Sequence, residues 1–127
     1  MSGLPSHSEV VIIGGGVVGC SIAYHLAEKD IQVTLIERKS LTCGTTWHAA
    51  GLVGQLRATK NLIKMAKYST NLYRALNEKD DLSAGFLING SISIAENDGR
   101  VEEMSRGATM GRSFGLDIEN ISIDQIK

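Results

Sequence analysis

Residues 10–37 read VVIIGGGVVGCSIAYHLAEKDIQVTLIE, and this stretch holds every part of a dinucleotide-binding unit. Val10 to Ile13 are wholly apolar, as expected of a parallel strand buried on both faces. Gly14, Gly16 and Gly19 follow at once in the pattern G-x-G-x-x-G. The first permits a tight turn, the second lets a phosphate approach the backbone, and the third lets a helix pack against the strand. The helix that opens here, with the amides of Val17 and Val18 in its first turn, turns bare N–H groups and a positive dipole end toward a pyrophosphate.

Val18, Ile22, Ala23, Leu26 and Ala27 recur at helical spacing, which predicts about three turns ending near Lys29 and Asp30. A second strand is expected over Gln32 to Ile36. It ends at Glu37, 18 residues beyond Gly19, where the fingerprint places an acid on a ribose hydroxyl pair. A glycine triplet alone is weak evidence; strand, triplet, helix, strand and acid in register make a Rossmann unit. Glu37 disfavours a 2′-phosphate, although Arg38 beside it keeps that option open, and both FAD and NAD fit the fingerprint.

Composition narrows the function classes. The chain has 127 residues, 43% of them hydrophobic, with 13 basic against 14 acidic side chains. The basic residues are scattered, so neither a nucleic-acid surface nor a polybasic membrane surface is expected. No apolar run approaches the ~20 residues of a membrane span. The opening MSGLPSHSE lacks the features of a signal or transit peptide, which makes the cytoplasm the expected location. Cys20 and Cys43 have no metal-ligand spacing, so no metal site is expected. One strand, helix and strand cannot close a doubly wound sheet, and the chain reads as the N-terminal fragment of a longer protein.

Residues 38–51, RKSLTCGTTWHAAG, are rich in Gly and Thr and read as a loop. Its 14 residues exceed the short connection usual after this strand in a simple NAD domain, and long connections tend to be functional. From Glu37 to His48 is 11 residues, a reach of at most about 36 Å. That exceeds the length of stretched FAD, so His48 can reach from the ribose end to the flavin ring. Beyond the loop, Leu62, Ile63, Ala66, Leu72, Tyr73 and Leu76 give residues 61–76 one apolar helical face, with Lys60, Lys64, Lys67 and Asn71 on the solvated side. Asp80 and Asp81 mark a break. Phe86 to Ile88 and Ile92 to Ile94 flank Asn89-Gly90 as a hairpin. A helix is expected over residues 100–114 with Gly115 as its C-cap, then a short strand over residues 116–121. Ser122 and Gln125 form a capping box opening a further helix.

The segment LTCGTTWHAAGLV, residues 41–53, resembles the covalent-flavin motif of the sarcosine and dimethylglycine dehydrogenase family, within the D-amino-acid oxidase superfamily of FAD-dependent oxidoreductases. It follows the glycine fingerprint at the family's distance, and the later elements run in the family's order, so the resemblance covers nearly the whole chain. Its T-T-W-H-A-A-G core is far more specific than the fingerprint. The implied fold is α/β: the opening portion of a Rossmann-type FAD-binding domain over residues 1–85, and the start of an antiparallel substrate domain over residues 86–127.

The resemblance implies that His48 is joined through a ring nitrogen to the 8α carbon of FAD. This needs a neutral imidazole, a form histidine offers near neutral pH. Gly44, Thr45 and Thr46 would then face ribityl or pyrophosphate oxygens, and Gly51 and Leu52 would run beneath the ring. Trp47 joins this set as a stacking partner or, the commoner use, a packing residue. Arg57 reads either as a surface arginine or as a cation for a substrate carboxylate. His25, in mid-helix, reads as structural, and His7 has no role.

The implied activity is oxidation of the N-methyl group of sarcosine, dimethylglycine or a related amine by hydride transfer to the flavin. Electrons would pass to an electron-transfer flavoprotein or to oxygen, and a tetrahydrofolate-binding region would lie beyond Lys127. Two alternatives remain: a related amino-acid or glycerol-3-phosphate oxidoreductase with non-covalent FAD, and a non-catalytic dinucleotide-binding module.

Overall fold

The computed structural model describes residues 5–79 and 84–126. The chain forms two compact units, Met1–Gly51 and Leu52–Lys127.

The first unit is one βαβ pass. Strand β1 (Val10–Ile13) leads through the glycines into helix α1 (Val17–Ala27) and back to strand β2 (Val33–Ile36). The strands are parallel, with Val10 opposite Val33 and Ile13 opposite Ile36. The crossover helix is what permits that pairing, since parallel neighbours cannot be joined by a tight turn. The end of α1 is made by Asp30 at φ 59°, and the Ile31 amide reaches back to the Leu26 carbonyl at 3.1 Å. Aspartate tolerates this left-handed conformation better than most residues.

The expectation of a strand buried on both faces is not met. Ile12 is buried, yet Ile13 is 87% exposed, because within this unit two strands and one helix cover a single face of the sheet. The same reason leaves Val18 and Ile22 exposed, while Gly19 is the residue of α1 that packs fully.

The second unit is helical. Helix α2 (Lys60–Asn77) is capped by Thr59, whose side chain accepts from the Leu62 amide. Its covered face centres on Ile63, which is fully buried, and Thr70; Thr70 returns its hydroxyl to the Ala66 carbonyl at 2.8 Å. Leu62, expected inside, is 47% exposed. Lys67, expected in solvent, instead donates Nζ to the carbonyls of Phe114 at 3.0 Å and Gly115 at 3.4 Å.

Those carbonyls belong to the C-terminal end of helix α3 (Asp98–Ser113), where a cation relieves unpaired acceptors. The amide of Gly115, at φ +73°, bonds the Arg112 carbonyl, and the amide of Leu116 bonds that of Gly111. This is a Schellman closure, with glycine in the left-handed position it needs.

Three expected elements differ. Residues 84–97 contain no strand among the described residues, so the expected hairpin does not form. Only Gly90 of the Asn89-Gly90 pair has positive φ, so the primed turn that would align two arms is absent. Leu87, Ile88, Ile92 and Ile94 remain exposed; a lone two-stranded hairpin buries too little to be stable. Phe86 is held differently, its amide donating to the Asn77 side chain and its ring 5.7 Å from that of Tyr73.

Residues 116–121 are likewise irregular. The Leu116 amide is taken by the helix closure, and the Ile118 carbonyl accepts from Arg112 at 3.1 Å. Finally, the helix expected after Ser122 is a single 3-10 turn, Ile123–Gln125, with the Gln125 side chain accepting from the Ser122 amide. The break at Asp80 and Asp81, and any continuation at Lys127, lie outside the described residues.

Candidate functional site

The glycine run shows why each position needs its residue. Gly14 has φ +105°, and a Cβ there would meet nothing, so its glycine answers to the turn. Gly19 answers to packing: a Cβ would come 1.9 Å from the Gly14 carbonyl oxygen, which no side chain can occupy. Gly16 is the N-cap of α1 and has no side chain with which to cap it.

Gly15, the middle glycine, was not singled out by the fingerprint and is the hub of the turn. Its amide donates to Glu37 Oε2 at 2.8 Å. Its carbonyl accepts from the Thr42 amide at 2.8 Å and from the Cys20 thiol at 3.5 Å. A Cβ on it would stand 2.5 Å from Leu41. The signal for this role is a glycine at the first x of G-x-G-x-x-G, a position the spacing does not require to be glycine.

Glu37 is therefore fixed at both oxygens, since Oε1 accepts from the Lys39 amide at 2.9 Å. The Gly15 amide, followed by those of Lys39 and Arg38 and by the Arg38 charge, holds its carboxyl below the ordinary value of 4.5. Each carboxylate oxygen keeps a second lone pair, so the anion can still accept from a diol. Arg38 is exposed.

Residues 38–51, which read as a loop, contain local structure. Thr45–His48 form a 3-10 helix, closed by the Trp47 amide on the Gly44 carbonyl and the Ala49 amide on the Thr46 carbonyl. Thr46 Oγ1 accepts from the Val17 amide at 2.9 Å, which caps α1 from 29 residues further along. Thr42 holds φ 63°, a strained choice for a β-branched residue. Thr45, Trp47 and His48 are exposed. Trp47 joins Ser40, Leu41, Thr42 and Cys43 around a shallow hollow of about 400 Å3.

Thus Gly14, Gly16, Val17, Gly19, Glu37 and Thr46 converge at the opening of α1, with Val18 next in its first turn. Gly44 and Gly51 have open space where a Cβ would stand, so a ligand can approach their backbone. Leu52 and Arg57 belong to the other unit. There, both line a hollow of about 310 Å3 with Met65 and Tyr73, and the Arg57 guanidinium donates to the Leu56 carbonyl at 3.0 Å.

This donor set fits a dinucleotide. The N-terminus of α1 offers amides and a positive dipole end, Gly16 puts no side chain of its own over that end, and a fixed anion stands at the end of β2. Among the described residues no group of His, Cys, Asp and Glu could hold a metal ion.

Comparison with known proteins agrees. The chain is 39% identical over 98% of its length to 4-methylaminobutanoate oxidase (formaldehyde-forming) of Paenarthrobacter nicotinovorans, covering 15% of that protein. It is 38% identical over 98% of its length to mitochondrial sarcosine dehydrogenase of Homo sapiens, covering 14%. Mitochondrial dimethylglycine dehydrogenase of Rattus norvegicus is 46% identical over 76% of the chain and 11% of its own length. One relative of another kind, the mitochondrial pyruvate dehydrogenase phosphatase regulatory subunit of Mus musculus, is 37% identical over 94% of the chain and 14% of its own length. The crystal structure of glycine oxidase from Bacillus cereus ATCC 14579 matches with a TM-score of 0.74 at 31% identity, over 94% of this chain and 35% of that one. The chain thus spans about a seventh of the length of the first two of these relatives. The model of the FAD dependent oxidoreductase family matches residues 9–127, and with the glycine turn, the acid after β2 and these relatives in agreement, the chain belongs to that family.

Proposed function

We propose that this chain supplies the adenine-side cradle and the flavin-linking loop of an enzyme that oxidises the N-methyl group of sarcosine, dimethylglycine or a related N-methylated amino acid. The observation that carries the reading is the convergence of Glu37, the glycine turn and Thr46 on the opening of α1, taken with relatives named for such substrates. In this reading Glu37 accepts from the adenosine ribose. The amides of Gly16 and Val18, which Glu37 and Thr46 do not engage, donate to the pyrophosphate, while Gly44 and Thr45 line the chain beyond it. Gly51 and Leu52 run beneath the ring, and Trp47 shields it. When bound, FAD supplies the acceptor for a hydride from the N-methyl carbon; the resulting iminium is hydrolysed to formaldehyde or captured by tetrahydrofolate. An electron-transfer flavoprotein or dioxygen then receives the electrons.

His48 is the proposed attachment point. There, a ring nitrogen would bond the 8α carbon of FAD, the imidazole would give up its N–H hydrogen, and the carbon would give up one of its own. The two electrons and two protons pass to dioxygen, which leaves as hydrogen peroxide. Arg57 is proposed as a cation for the substrate carboxylate.

A second reading has one observation behind it. A relative is named as a regulatory subunit, so a non-catalytic flavin or dinucleotide module is the competing class. Purified whole protein separates them: the enzyme reading predicts a flavin absorption spectrum that bleaches anaerobically on addition of sarcosine or dimethylglycine. A bound flavin that none of a panel of N-methylated amino acids bleaches would favour the module.

A further inference from the structure

The N-cap of α1 is a glycine, which cannot cap its own helix, and the missing acceptor comes from the turn that carries His48. Thr46 Oγ1 takes the Val17 amide at 2.9 Å, and the same hydroxyl lies over Gly16, where a Cβ would stand 3.2 Å from it. Thr46 is half-buried, whereas Thr45, Trp47 and His48 around it are exposed. The remaining hydrogen bonds of this 3-10 helix are local, from Trp47 to Gly44 and from Ala49 to Thr46. Among the described residues, the Thr46 hydroxyl is the hydrogen bond that ties the turn to α1.

We infer that Thr46 is a positioning residue for flavin attachment: its hydroxyl clamps the 3-10 turn to the opening of α1 and so fixes where the His48 imidazole stands relative to a pyrophosphate seated on that same helix end. The inference rests on the covalent role proposed for His48. In a 3-10 helix the rise is about 2.0 Å per residue with three residues per turn, so His48 lies about 4 Å along the axis from its anchor, a distance over which little play accumulates. Because one helix terminus holds both the anchor and the cofactor's phosphates, the imidazole and the 8α carbon share a frame of reference. Bond formation between a fixed nucleophile and a fixed carbon depends steeply on that alignment.

The hydroxyl oxygen, and not the side-chain volume, is the operative group. Thr46→Val keeps the shape and removes the acceptor; Thr46→Ser keeps the acceptor and removes a methyl. The whole protein is prepared without flavin from riboflavin-limited cells and mixed in air with FAD at saturating concentrations. Covalent incorporation is followed by flavin fluorescence on the denatured band. The expected result is a limiting rate lowered roughly tenfold or more in Thr46→Val, with Thr46→Ser within about threefold of wild type. Because the rate is read at saturation, a change in cofactor affinity does not imitate this result.

An unchanged limiting rate in Thr46→Val would overturn the inference and leave Thr46 as a cofactor contact only. An equal loss in Thr46→Ser would overturn it too, since the hydroxyl would then not be the operative group. If the wild type itself forms no covalent flavin, the His48 reading fails and this inference falls with it, an outcome visible before either variant is compared.

Discussion

Gly19 in the first unit and Gly111 in the second are both buried glycines inside helices, but they are buried against different things. A Cβ on Gly19 would meet backbone, the Gly14 carbonyl oxygen at 1.9 Å. A Cβ on Gly111 would meet the methyl ends of Ile118 at 2.5 Å and Leu56 at 3.0 Å. Backbone in a hydrogen-bonded turn cannot retreat, whereas the tips of aliphatic side chains can. The first unit is thus specified by main-chain geometry, as a site that brings backbone close to a phosphate requires, and the second by ordinary side-chain packing.

The sharpest break of this comparison is Gly19→Ala. It should destabilise the protein by at least about 3 kcal/mol, the upper end of overpacking, because no rotamer change relieves it. Urea unfolding of the whole protein checks this; a loss below about 1 kcal/mol would mean that the turn can yield.

Glu37→Gln comes next and bears on the cofactor. A glutamine carboxamide has one acceptor oxygen, so it can serve the Gly15 amide or the Lys39 amide but not both. In a His48→Ala background, where the cofactor is held without a covalent bond, FAD retention should weaken by roughly tenfold, the scale of a charge-assisted hydrogen bond, read as flavin release on dilution. The pH dependence has a definite sign. Since the folded carboxyl sits below its ordinary value of 4.5, its contribution is fully present above that value and is lost as pH falls through the lower, folded one. Wild-type stability should decline in that acid window by more than that of the Gln variant.

Asn97→Ala tests the second unit where it too depends on a local bond. The Asn97 side chain accepts from the Arg100 amide at 2.9 Å, and its loss should cost about 1 kcal/mol. Gly111→Ala should do least: better helix propensity, worth about 1 kcal/mol, offsets the displacement of Ile118 and Leu56, for a net change within about 1 kcal/mol of zero. A large loss there would erase the contrast between the two units.

The same contrast explains what could be read from the residues alone. The strands, the α1 helix and the duties of Gly14 and Gly19 follow from rules that act over a few residues, and β1, α1 and β2 stand where the pattern put them. The Thr46 cap on Val17 joins residues 29 apart, and nothing in a glycine fingerprint announces it. Helical periodicity places Lys67 in solvent because it does not foresee that another helix ends beside it. The alternation of Ile92 and Ile94 promised a strand, but a strand needs a partner, and none pairs with it among the described residues. The Thr45–His48 turn is not legible in the sequence because its Gly- and Thr-rich surroundings suggest only irregular chain.

The central claim is that the turn anchored on α1 carries the flavin on His48. Its most direct test is the mass of the tryptic peptide covering residues 40–57, SLTCGTTWHAAGLVGQLR, from yellow, active whole protein. The account predicts that this peptide carries the flavin, that fragmentation places it on His48, and that His48→Ala yields protein whose FAD is freed by acid. An unmodified peptide from a yellow, active preparation would contradict it.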